Sequence, residues 1–176
     1  MKTLSIFCIL CLVACHDNLT HHKTADNLLE FYMDSSFKKV QTNPKLGLDI
    51  YQKKNYHLQI IHYPNHHPAL QQRFDDYKNQ KRIFKPAYYT TTADTIKIDN
   101  TVLNLHNHNG HDFVVFYTKV QDLSALIPTY YGIAFVLMKT PHGFVEISLK
   151  QQAHKESKLS QKQAFEYLSS IIQTIK

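Results

Sequence analysis

Apolar positions along the chain recur with two different periods, and the change of period divides it into elements. Leu29, Met33, Phe37 and Val40 recur at three- and four-residue spacing behind Asp26, a residue able to cap a helix. This predicts a first helix from Asp26 to about Val40, ended at Asn43-Pro44. Alternation then takes over. Leu46 to Gln52 and Tyr56 to Tyr63 read as strands joined at Lys53-Lys54-Asn55, each with one face suited to burial, carrying Leu46, Leu48 and Ile50 in the first and Tyr56, Leu58 and Ile60 in the second. Pro64 stops the pair, and Pro68 is placed to open a helix carrying Leu70, Phe74 and Tyr77. The stretch from Ile83 to Thr92, with Pro86 and three threonines, fits an edge strand or a loop equally.

The second half reads as strands: Thr95 to Asp99, Val102 to His108, His111 to Val120, Tyr131 to Thr140 and Gly143 to Gln151. Asn109-Gly110 supplies the positive φ that a tight hairpin turn requires, and Thr140-Pro141-His142-Gly143 supplies a second turn. Phe113 to Tyr117 is apolar at every position, which predicts a strand covered on both faces. Ser160 with Gln163 three residues later makes a capping box. Behind it Ala164, Phe165, Leu168, Ile171, Ile172 and Ile175 form a helical stripe. The expected fold class is therefore α+β: a mainly antiparallel β-sheet flanked by helices, with a C-terminal amphipathic helix packed on the sheet. An antiparallel sheet followed by a helix ending near Ile175-Lys176 resembles the PsbP-like family in the order of its elements. That resemblance implies a shape and transfers no functional residue.

The front of the chain follows neither period. Lys2 precedes an apolar run from Thr3 to Ala14, well short of the roughly 20 residues a spanning helix needs. The run reads as a signal peptide over residues 1–14. It ends in Leu12-Val13-Ala14-Cys15, which resembles the lipobox of bacterial lipoprotein precursors. The resemblance implies cleavage before Cys15 and acylation of that cysteine, so that residues 15–25 would be a lipidated cysteine with a flexible tether and residues 26–176 a single domain. Two or three acyl chains hold a protein on a membrane far more firmly than one, since each buried methylene adds roughly 0.8 kcal/mol. His16 rather than Asp after the cysteine points, by the enteric sorting rule, to the outer membrane, with the domain facing the periplasm.

Cysteine usage fits export. Cys8, Cys11 and Cys15 all lie in the first fifteen residues, so the body offers no disulfide, thiol nucleophile or cysteine-based metal site. The balance of 20 Lys+Arg against 14 Asp+Glu is basic, yet Arg73 and Arg82 are the only arginines, which argues against a nucleic-acid reader. Glycine occurs at only four positions, and no glycine-rich phosphate loop or hydrolase signature is present.

Histidine is the residue in excess, with twelve copies. Across a two-residue turn at Asn109-Gly110, His108 would pair with His111, and His106 would share their face, which makes a possible ligand set for zinc or copper. The alternative is a hydrated hairpin tip. His57 and His62, an odd number apart, should point to opposite faces of their strand. Tyr88, Tyr89, Tyr130 and Tyr131 fit either a recognition surface or ordinary sheet positions. Together these readings describe a membrane-anchored envelope lipoprotein with a non-enzymatic domain that binds another protein, in envelope assembly or in neutralising a toxin. The rival is a metal-binding envelope protein using His106, His108 and His111.

Overall fold

The computed structural model describes residues 18–65, 67–79, 96–108, 111–122, 129–153 and 160–176. Cys15, Tyr88, Tyr89, the stretch from Ile83 to Thr92 and the Asn109-Gly110 turn lie outside the described residues.

The chain opens with β1 (Leu19–Lys23) and β2 (Glu30–Asp34), which pair antiparallel as a two-stranded sheet. This corrects two expectations. The tether does not extend to residue 25, because Leu19–Lys23 is already a strand. The helix over residues 26–40 is replaced by β2 and by β3 (Lys38–Asn43). The reason is Phe31. Leu29, Phe31 and Met33 are all buried while Glu30 and Tyr32 are exposed, a period of two that the helical spacing of Leu29 and Met33 concealed. Val40, expected on the buried face, is 56% exposed. Asp26 caps a turn instead: its carboxylate accepts from the Leu28 N–H, and Asn27 takes a left-handed φ of 60°.

A 3-10 turn at Pro44–Leu46 leads through Gly47 into β4 (Leu48–Lys53), β5 (Tyr56–Pro64) and α1 (Pro68–Lys78). The long strands β6 (Ile96–His108), β7 (His111–Asp122), β8 (Thr129–Thr140) and β9 (Gly143–Ala153) follow, and α2 (Gln161–Thr174) ends the chain with its capping box formed at Ser160 and Gln163. The larger sheet is wholly antiparallel in the order β3-β4-β5-β9-β8-β7-β6. Its edge strand β3 carries a register shift between Lys39 and Gln41, so one residue bulges out of the ladder. No helix among the described residues is long and apolar enough to cross a membrane.

Both faces of the large sheet are covered. On one, Tyr51, Leu58, Ile60, Val115, Val136 and Ile147 pack under the β1–β2 hairpin and the α2 stripe. On the other, Val114, Phe116, Phe135 and Phe144 pack under Leu70, Phe74 and Tyr77 of α1. Every residue from Phe113 to Tyr117 is buried, as the doubly apolar pattern predicts. The C-terminus is stitched into the small sheet: the Lys176 N–H donates to Glu30, and the Tyr32 N–H donates to Thr174 Oγ1 at 2.8 Å.

One strand faces the other way from the sequence reading. In β4 it is Asp49 and Tyr51, both fully buried, that meet the hairpin, while Leu48 and Ile50 are half-buried on the opposite face. Pairing of Asp49 with Ile60 and Tyr51 with Leu58 fixes this phase, because β5 commits Leu58 and Ile60 to the core.

Candidate functional site

The face between the β1–β2 hairpin and strands β4 and β5 holds an unusual density of buried polar side chains. β5 carries His62 onto this face and His57 to solvent, as their odd separation requires. His62 is fully buried, with Nδ1 2.5 Å from Asp26 Oδ2. The hairpin turn places Asp26, whose Oδ1 also accepts from Thr24 Oγ1 at 2.7 Å and from the Leu28 N–H. Burial works to raise the Asp26 carboxyl pKa. The hydrogen bonds from Thr24, His62 and Leu28, together with the imidazole's charge, outweigh it, so the group lies below its ordinary range.

A second set lies beside it on β4. Asp49 is fully buried, and Lys39 Nζ, 2.9 Å from its Oδ1, is the charge that offsets it, although neither carboxylate oxygen accepts a well-aligned hydrogen bond. Tyr51 brings its ring against Phe31 and the edge of His22, and its buried hydroxyl makes no hydrogen bond among the described residues. Burial raises the Tyr51 phenol well above its usual range, and the neighbouring Asp49 charge adds to the effect. Burial lowers His22, helped by the positive charges of Lys39 and His21 against the pull of Asp49.

An imidazole held by a carboxylate at Nδ1 is the arrangement that orients a general base, with Nε2 left to act. Here Nε2 is itself buried and makes no hydrogen bond among the described residues, while Nδ1 ties the β1–β2 turn to β5. The pair therefore works as a latch, fixing the hairpin turn to the sheet. Sequence reasoning missed it. The sequence places His62 on its strand, but its partner lies 36 residues away, in a turn whose pattern resembles a helix cap.

The sequence-derived sites are placed as follows. The β6–β7 register sets His108 opposite His111 and His106 opposite Phe113. Of these, Phe113 lies on the core side with the α2 stripe. The side chains of His106 and His108 lie outside the described residues; His111 is half-buried, and its Nδ1 has no hydrogen-bond partner among the described residues. Among the described residues no group of three or more His, Cys, Asp or Glu is arranged around a common point suited to a metal. β8 turns Tyr130 and Tyr131 to opposite faces, and Tyr131 packs on the α1 side with Lys150 Nζ 4.0 Å from its ring centre. An open groove of about 680 Å³ runs along α2 beside Lys162, Phe165, Glu166 and Ser169.

The architecture defines a class, an antiparallel α+β sandwich with its last helix on the sheet, and comparison bears on that class alone. No protein-family profile and no curated protein sequence matches the chain. Among solved structures, a protein from Bacteroides thetaiotaomicron VPI-5482 is similar with a TM-score of 0.53 at 9% identity, over 90% of this chain and 48% of that one. This chain thus spans about half the length of that protein, and the likeness is one of fold. Cyanobacterial PsbP (CyanoP) from Synechocystis sp. PCC 6803 also stands among the structural neighbours, with a TM-score of 0.47 at 8% identity, over 90% of this chain and 92% of that one.

Proposed function

We propose that this chain is a lipid-anchored protein of the bacterial cell envelope, held at the outer membrane and facing the periplasm, whose domain binds a protein partner. The observation that carries the reading is the junction at its front: the apolar run ends in Leu12-Val13-Ala14-Cys15, and the first described residue of the folded domain, Asn18, follows three residues later. Three peptide units reach at most about 11 Å. An acylated Cys15 would therefore hold β1 against the membrane surface instead of releasing the domain on a long leash. A binding role is supported by the outer edge of the large sheet, where Val40 is exposed on β3 and Leu46 is exposed in the turn that follows.

Two measurements test this. A fatty-acid probe fed to expressing cells should label the wild-type chain and leave Cys15→Ser unlabelled. A photoreactive residue at Val40 should yield one discrete crosslinked protein adduct. Label retained in the Cys15→Ser variant removes the anchor, and absence of an adduct removes the binding edge.

The strand register favours a second reading, because His108 lies directly opposite His111 with His106 two positions back on β6. Neutral imidazoles so grouped would hold zinc or copper through nitrogen at about 2.0 Å. Equilibrium dialysis against each metal decides it: sub-micromolar binding that disappears in the His106→Ala/His108→Ala/His111→Ala variant establishes the site, and weak binding equal in both proteins dismisses it.

A further inference from the structure

Resting on the lipid-anchor reading, we infer that the end of the domain bearing Lys38 and Lys54 docks on anionic phospholipid headgroups. The geometry begins at Asn18, the first described residue, where the chain enters β1. Its carbonyl accepts from the Ser35 N–H at 2.7 Å, and Leu19 pairs with Asp34. The entry point therefore lies at the Asp34–Ser36 end of the small sheet. Lys38 belongs to the same end: its Nζ donates to the Ser35 carbonyl at 3.1 Å. Lys53 is there too, its Nζ 2.7 Å from Asp34 Oδ2, and Lys54 forms the tip of the β4–β5 turn beside it with a left-handed φ of 54°. The pairing of Lys38 with Gln52 brings the start of β3 to that same turn.

Among the described residues the charge at this end is one-sided. Asp34 is neutralised by Lys53, and on α2 Lys162 and Glu166 face each other at 3.9 Å. Lys38 and Lys54, both exposed, remain as uncompensated cations among the described groups placed here. The opposite end of the sheet is formed by Gly47, Pro64 and the β8–β9 turn, where Asn65 donates to the His142 carbonyl. Lys45 sits there, six residues along from Lys39 and beyond the far end of β3. With Cys15 three residues before Asn18, the anchor draws the Lys38–Lys54 end toward the bilayer and leaves Lys45 remote from it. A juxtamembrane lysine and an anionic surface attract each other within about one Debye length, roughly 8 Å at physiological salt. A short leader thus converts an ordinary pair of lysines into a second contact that orients the domain.

The test uses the full chain as cells process it, purified in detergent and reconstituted into vesicles of phosphatidylcholine alone or with about one-third phosphatidylglycerol. Surface lysines are acylated by a membrane-impermeant reagent and quantified by mass spectrometry. On the anionic vesicles, Lys38 and Lys54 should react about fivefold more slowly relative to Lys45 than on the neutral ones, the factor expected for a headgroup contact of the usual strength. The difference should vanish in 0.5 M NaCl. Equal reactivity of all three lysines on both vesicles overturns the docking face while leaving the anchor intact. Failure of the protein to float with either vesicle, or a mass lacking acyl chains at Cys15, overturns the anchor itself.

Discussion

Asp26 and His62 show how much a fold can rest on two side chains. A fully buried imidazole against a carboxylate is tolerable only while both partners are present, because either one left alone is a desolvated polar group without compensation. Asp26→Ala should therefore cost about 3 kcal/mol in urea denaturation, whereas Asp26→Ala combined with His62→Phe should cost less than the single change. His22 gives a second prediction, with its sign fixed by burial. The folded protein holds its pKa below the ordinary value of 6.5, so the unfolded chain takes up a proton at a higher pH than the native one does. Stability from this residue is complete above pH 6.5 and drains away as pH falls toward the native value. Asp26, also lowered, adds a further loss at more acidic pH. The urea midpoint should drop between pH 7 and pH 5, and His22→Phe, which keeps the ring against Phe31 and Tyr51, should flatten that part of the profile.

Elements that carry their own instructions were legible beforehand. The hairpin turn at Lys54-Asn55, the proline that opens α1, the two-residue turn at Pro141-His142 and the capping box of α2 are all set by residues within a few positions of one another. Ser160→Ala should accordingly cost about 1 kcal/mol by thermal unfolding. What could not be read was phase and partnership. Leu29 and Met33 fit a helix as well as a strand, and only burial of Phe31 beneath Tyr51 separates the two. Likewise, nothing within Leu48–Lys53 announces that Asp49 faces inward, since its Lys39 counter-charge comes from the neighbouring strand and its phase comes from β5. Gly47 marks the joint between these strands. It stands at φ 60°, and a Cβ there would lie 2.1 Å from the His62 carbonyl oxygen. Gly47→Ala should shift the β4–β5 pairing and lower the unfolding midpoint by more than the roughly 1 kcal/mol of an ordinary glycine replacement.

At the scale of the molecule, the small sheet meets the last residues of the C-terminal helix and beyond. Glu30 and Tyr32 near the start bond to Lys176 and Thr174 at the finish, and Ile175 is buried beneath them. Removing Thr174–Lys176 should destabilise the protein by at least about 2 kcal/mol through loss of Ile175 alone, and hydrogen exchange should show β1 and β2 opening first. Deleting residues 18–23 tests the same seam from the other side. A mere leader would be dispensable, whereas β1 as an integral strand makes the deletion lower the melting temperature.

The bulge between Lys39 and Gln41 has a consequence at this scale. A flat outermost strand would invite a neighbouring copy to continue the ladder. The kink and its flanking ammonium groups spoil that template, so close crowding need not end in fibrils.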